Sequence, residues 1–286
     1  MTSLSINAAI AREVELATQA NPNINPADIA FLLGERLNYT PSQLRLRGTT
    51  ELSADQLTQF EADVKQLIDG ASPQYILGYA WFLGEKLKVN ENVLIPRFET
   101  EELVDWVATD LAKNSVDEKV DLLDVGTGSG AILVGLNSLV NTTKIFYNAS
   151  DISPAALGVA EQNFADHGLH VNAVVADVLA GLGEFDVIIS NPPYIMENEV
   201  AVMDESVVQN EPHIALFAGI DGLDFYRKFV KQINAHLRFS GSFYLEFGYH
   251  QKQLLAELFA SELPDYEITF KQDMSGHDRM VRGRKK

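Results

Sequence analysis

The 286-residue chain contains no cysteine. Disulfides, thiolate metal ligands and a catalytic thiol are thereby excluded, and a reducing compartment, the cytoplasm, is the expected location. A basic leader is missing too. The opening stretch, MTSLSINAAIAREVELATQA, meets Glu13 and Glu15 before an apolar run develops, so no secretory signal is expected. No later stretch reaches the ~20 uninterrupted apolar residues of a spanning helix, and no membrane segment is expected. Positive charge is scarce: 22 Lys and Arg stand against 40 Asp and Glu, a formal charge of −18. Between Lys144 and Arg227 there is no Lys or Arg at all, while thirteen carboxylates fall in that interval. Such a segment repels a polyanion, so no stable nucleic-acid binding is expected, and most of its charges read as a solvated acidic surface. What remains is an ordinary globular composition, 46% hydrophobic and 22% charged, long enough for one large domain or for one of ordinary size plus a smaller one.

Apolar residues recur at three- and four-residue spacing over Ile6 to Thr18, Pro26 to Leu37 and Ala54 to Ile68. This predicts three helices and a small N-terminal bundle, with Asn25 and Ser53 as N-caps and Pro26 at a first helical position. From Tyr79 to Ile95 the pattern turns to alternation and predicts a β-hairpin that turns at Asn90, Glu91 and Asn92. Beyond about Glu99, the segments VDLLDV, KIFYNAS, HVNAVVA, FDVIIS, SFYLEFG and YEITF read as strands. Helical patterns follow the first, second, fourth and fifth. The expected organisation is a helical domain over 1–78, a hairpin linker over 79–95, and an α/β sheet with helices on both faces over 96–286. Ligands bind such sheets beyond the carboxyl ends of the strands, so chemistry is sought at each strand exit.

The first strand exits into Asp124, Val125, Gly126, Thr127, Gly128, Ser129 and Gly130, and a helix begins near Ala131. Close glycines let the backbone turn sharply and leave room for a ligand. Their spacing departs from the dinucleotide fingerprint, which would place its third glycine at Ala131. The second strand ends at Asp151, where a carboxylate could accept from both hydroxyls of a ribose, or simply cap the next helix. Together these features suit a nucleoside-type cofactor, with Asp177 and Val178 beside its base. The strand FDVIIS runs straight into Asn191, Pro192, Pro193 and Tyr194. Each proline lacks an N–H and fixes φ, which stiffens the loop and leaves carbonyl acceptors without competing donors. The Asn191 side-chain oxygen and the Pro192 carbonyl then supply two acceptors, which suits one planar NH₂ group held for methylation. Tyr194 would lie on the substrate plane or serve as a core aromatic.

Taken in order, these stretches resemble the HemK-type family of peptide chain release factor glutamine methyltransferases. The resemblance runs through PQYILGYAWFLGEKLKV (Pro73 to Val89), VLIPRFETEELV (Val93 to Val104), LLDVGTGSGAI (Leu122 to Ile132), DIS at Asp151, SNPPYI at Ser190, EPHIALFAGIDGLDFY (Glu211 to Tyr226) and YLEFGYHQ at Tyr244. It implies a Rossmann-like sheet that uses S-adenosyl-L-methionine, contacted by Gly126 to Gly130, Asp151 and Asn191. It also implies that Asn191 to Tyr194 bind the glutamine amide of a release factor's Gly-Gly-Gln motif, and that the helical domain helps grip that partner. Arg97, Glu99, Thr100 and Glu101 match a stretch beside the cofactor pocket; their alternative is a helix N-terminus, which favours acidic residues. Two positions depart from the family: Phe98, where proline is usual, and Val178, where some relatives place an aromatic residue. A glutamine of a ribosomal protein, an exocyclic amine of a nucleic acid, and a non-catalytic cofactor-binding module remain alternatives.

Overall fold

Capping side chains set where the first helices begin. In the computed structural model, which describes residues 3–113, 119–140, 144–202 and 205–286, Ser5 accepts from the Ala8 N–H ahead of α1 (Ile6–Ala20). Asn25 does the same for the Ala27 N–H ahead of α2 (Pro26–Leu37). Reciprocal capping boxes, Thr40 with Gln43 and Ser53 with Gln56, start α3 (Pro41–Leu46) and α4 (Ala54–Ile68). The short α5 (Pro73–Leu77) follows. Periodicity missed α3 and α5 because one or two turns present too few apolar positions. Ala9, Ile29, Leu32, Leu33, Phe60 and Val64 make a common core for α1, α2 and α4. Inside it Asp63 is wholly buried and receives two bonds, 2.7 and 2.9 Å, from the Arg36 guanidinium.

The chain forms two compact units, Met1–Tyr79 with Asp204–Asn210, and Ala80–Met203 with Glu211–Lys286. At the start of the second lies a hairpin of β1 (Tyr79–Phe82) and β2 (Glu85–Lys88). Its turn is Leu83 and Gly84, at φ 49° and 80°, the positive values a two-residue hairpin connection requires. This corrects the expected turn at Asn90 to Asn92, which forms a separate turn after β2, with the Val93 N–H donating to the Asn90 carbonyl. A leucine at positive φ is uncommon, which is why the asparagines drew the expectation. Phe82 and Leu87 of the hairpin are buried in the core of the sheet.

Next come α6 (Phe98–Lys113), β3 (Val120–Val125), α7 (Ala131–Leu139), β4 (Ile145–Asp151), α8 (Pro154–Asp166), β5 (Val171–Val175) and β6 (Phe185–Ser190). A 3-10 turn (Glu197–Val202) precedes α9 (Glu205–Asn210), which belongs to the first unit, and α10 (His213–Leu216). The rest is α11 (Asp224–His236), β7 (Leu237–Glu246), α12 (Lys252–Glu262), β8 (Tyr266–Gln272) and β9 (Asp278–Lys285). One seven-stranded sheet results, in the order β5-β4-β3-β6-β7-β9-β8, with β9 running opposite to the other six strands. All six expected strands are present, β7 starting at Leu237 rather than Ser242. The unexpected strand is β9, whose sequence DRMVRGRK is mostly charged and hides the alternation.

Adjacent Leu122 and Leu123 point to opposite faces of the sheet, one into each of its two cores. Helices α6, α7 and α8 cover one face, and α11 and α12 the other. From β3 the chain moves outward through β4 to β5, then returns to β6 on the far side of β3. That reversal opens a crevice beyond the carboxyl ends of β3 and β6. Asp124 and Ile189 are register partners, so the glycine turn and the tetrad emerge side by side. No described helix is long and apolar enough to cross a membrane.

Candidate active site

The turn after β3 is tied down by the neighbouring strand and by one side chain of its own, Thr127. The N–H groups of Gly126 and Thr127 both donate to the Ser150 carbonyl, at 2.8 and 3.0 Å. The Thr127 hydroxyl donates to Asp124 Oδ2 at 2.6 Å. Gly126 and Gly128 adopt φ of 69° and 55°, and a Cβ on either would meet nothing within 4 Å. Bare backbone therefore faces a crevice of about 350 Å³. Gly130 differs: a Cβ there would strike the Phe164 ring, so glycine is required for packing as well as for its φ of 81°.

Asp151, at the end of β4, lines the crevice and is bonded directly to the turn. Its Oδ2 accepts from the Gly128 N–H and its Oδ1 from the Ser153 N–H, both at 2.9 Å. A carboxylate offers about four acceptor sites, so the N–H bonds leave room for a hydroxyl donor. Burial raises the Asp151 pKa, while the N–H groups of Ser153, Gly128 and Ile152 oppose the rise. Val178 also lines the crevice and is buried at φ 59°, a strained conformation for a β-branched residue. Both oxygens of Asp177 are engaged by Lys228 Nζ of α11, at 3.0 and 2.9 Å.

Asn191, Pro192 and Pro193 of the tetrad also line the crevice, whereas Tyr194 does not and packs against the core on the α11–α12 face of the sheet. Asn191 Nδ2 donates to Thr100 Oγ1 at 2.7 Å, and the Thr100 hydroxyl donates to Glu246 Oε2 at 2.7 Å. Asn191 Oδ1 stays available as an acceptor. Pro192 is buried, and Tyr194 is half-buried with its hydroxyl 3.4 Å from Glu246 Oε1. The loop's main chain is anchored from the EPHIALFAGIDGL stretch: the Ile195 N–H donates to the Leu216 carbonyl, and the Ala218 N–H donates back to the Ile195 carbonyl. Gln251 Nε2 bridges the carbonyls of Tyr194 and Gly222, at 2.8 and 3.2 Å. The side chain of Ser190 donates to the Val125 carbonyl at 2.6 Å, locking the two strand exits together.

Of the four residues read from the α6 entry, Arg97 and Thr100 line the crevice and the two glutamates do not. Arg97 bonds the buried Glu211 at 2.6 Å, Glu101 accepts from the Leu83 N–H at 2.8 Å, and Glu99 and Phe98 are exposed. Two residues that reasoning from sequence left without a role are Glu211 and Glu246. Both are buried carboxylates inside quoted motifs, and an acidic residue flanked by apolar ones on a strand, as in FYLEFG, is the signal that marks Glu246. Burial pushes Glu246 up to about 7, and likewise Asp124 up to about 7. The second oxygen of Asp124, Oδ1, is buried with no partner among the described residues.

Residues 101–213 match the methyltransferase small domain family, and residues 13–78 match the PrmC N-terminal domain family. A release factor glutamine methyltransferase of Streptococcus pneumoniae is 40% identical over 233 residues, 81% of each chain. One of Lactococcus lactis subsp. lactis is 43% identical over 218 residues, 76% of this chain and 78% of that one. A solved methyltransferase from Pyrococcus furiosus shares the fold, with a TM-score of 0.50 at 16% identity over 79% of this chain and 96% of that one.

Proposed function

The chain belongs to the release factor glutamine methyltransferases, and from that premise we propose that Asn191 to Tyr194 hold the side-chain amide of a Gly-Gly-Gln glutamine for methylation with S-adenosyl-L-methionine. The observation that carries this is the Asn191 carboxamide, whose NH₂ donates to Thr100 and whose Oδ1 is left to accept. With the Pro192 carbonyl it offers the two acceptors that one NH₂ group needs. An amide nitrogen is a poor nucleophile because its lone pair is delocalised. Holding both N–H bonds aims that lone pair, and positive charge developing on nitrogen meets oxygens already in place. Tyr194, stiffened by two prolines and by Gln251, would pack against the amide plane.

The crevice suits the cofactor in size and chemistry. Its volume of about 350 Å³ lies in the range of small-molecule sites. The bare turn Gly126, Thr127, Gly128, Ser129 and Gly130 would pass under the ligand, Asp151 would receive ribose hydroxyls, and Val178 would lie against the base. When bound, S-adenosyl-L-methionine supplies an electrophilic methyl group on a sulfonium. The helical unit is assigned to gripping the release factor, which the acidic, cation-free segment would attract.

Purified protein with labelled S-adenosyl-L-methionine should label a release factor, and should not label the same factor with its Gly-Gly-Gln glutamine replaced. Equal labelling of the two would remove the proposed target. Asn191→Ala should lower kcat by about a hundredfold or more while cofactor affinity changes little, because its bonds matter most in the transition state. An effect confined to KM would contradict that role.

A further inference from the structure

Glu246 ends β7 without touching the crevice, yet both side chains of the tetrad that carry polar atoms lead to it. We propose that Glu246 is a positioning residue: acting through the Thr100 hydroxyl, its carboxylate dictates which end of the Asn191 carboxamide faces the substrate, and it holds Tyr194 at the same time. The site concerned is the one assigned above to a glutamine amide, on which this proposal rests.

An ionised carboxylate can only accept. Facing Glu246 Oε2, Thr100 must donate its single proton there, and it has only lone pairs left for Asn191. The carboxamide must then turn its NH₂ to Thr100 and its Oδ1 to the crevice, where a substrate NH₂ requires an acceptor. A protonated Glu246 reverses the chain. It donates to Thr100, the Thr100 proton turns to Asn191 Oδ1, and the flipped carboxamide presents donors to a donor.

The setting of Glu246 makes that reversal accessible near neutral pH. Burial is the main cause of its rise to about 7, opposed by Thr100, Arg279 and Tyr194 and assisted by Glu99. From α6 come Thr100 and Glu99, from the loop after β6 Tyr194, and from β9 Arg279, which also pairs with Asp273 at 3.5 Å. From α11, the Tyr226 hydroxyl donates to the Glu246 main-chain carbonyl at 2.7 Å.

The test follows the Asn191 side-chain NH₂ resonances of the full-length, ¹⁵N-labelled protein across roughly pH 5–9. In the wild type they should move with a midpoint near 7, and in folded Glu246→Gln and Thr100→Val they should stay still. Thr100→Val keeps the carboxylate and serves if Glu246→Gln does not fold. In release-factor methylation at saturating cofactor, wild-type kcat should drop about tenfold from near pH 8 to near pH 6. Glu246→Gln should lose about tenfold at the higher pH together with that acid limb, and Thr100→Ser should restore the profile Thr100→Val lacks. Asp124, which titrates in the glycine turn, is read separately through cofactor affinity. Wild-type Asn191 resonances that ignore pH, or a Glu246→Gln enzyme with unchanged kcat and limb, overturn the proposal. Titrating resonances without transfer to any release factor would instead remove the assigned substrate and leave the relay intact.

Discussion

At Gly222 the space beside the tetrad admits a hydrogen atom and nothing larger. The residue sits at φ 72°, and a Cβ would collide with the Tyr194 carbonyl oxygen and with Gln251 Nε2. Gly222→Ala should therefore push the tetrad's main chain out of place. A misplacement near 1 Å costs about a hundredfold in rate, so kcat should fall by that order while the protein still folds. Steady-state kinetics beside a thermal melt would check it, and an unaltered kcat would show that the loop is held by other means. Val178 makes the complementary case. Its left-handed backbone carries strain of about 1–3 kcal/mol and is retained on the crevice wall, where strained residues tend to gather.

Asn163 of α8 joins three elements at once. Wholly buried, it donates from Nδ2 to the carbonyls of Lys88 at 3.0 Å and Ser129 at 2.8 Å, and accepts from the Lys88 N–H at 2.8 Å. Asn163→Ala would strand three backbone groups in the dark between β2, the glycine turn and α8. A loss of about 2–4 kcal/mol in a urea melt is expected, with weaker cofactor binding by calorimetry, since the turn loses its brace. Undiminished stability would mean that water replaces the amide. These long-range ties also mark the limit of what could be read from sequence. Caps at Ser53 and Asn25 act within three residues and were legible, as were strands with clean alternation and the exits carrying Gly126, Asp151 and Asn191. Asn163 meets Lys88 across 75 positions, and Thr100 meets Glu246 across 146, which no local pattern records. The hairpin turn escapes local pattern for a related reason: Leu83 takes its positive φ from the pairing around it, not from its own preference.

Over the whole molecule, Asp124, Asp151 and Glu246 share a raised pKa, with burial first among the causes. Each binds its proton more tightly when folded than when unfolded. Their stabilising contribution is complete below the unfolded value of about 4 and is lost as pH climbs through the folded values, two of which lie near 7. Asp110, Asp221 and Asp273, whose pKa values are lowered, work in the opposite sense only in stronger acid. Melting temperature should thus rise as pH is brought from about 8 to about 6, and Glu246→Gln should melt a few degrees higher than wild type at pH 8 while turning over more slowly. A flat melting profile over that window would show that these carboxyls are already ionised throughout it in the folded protein. The β8–β9 hairpin adds a consequence in time rather than space. Within the sheet β8 has no neighbour except β9, so the strand that comes first in the chain must wait for the one that follows, and both dock on β7 together. Arg279, the cation that opposes the rise of Glu246, arrives with that docking. The hairpin is itself a local pairing that can form early in refolding, and the polarity around Glu246 would mature only once that hairpin docks on β7.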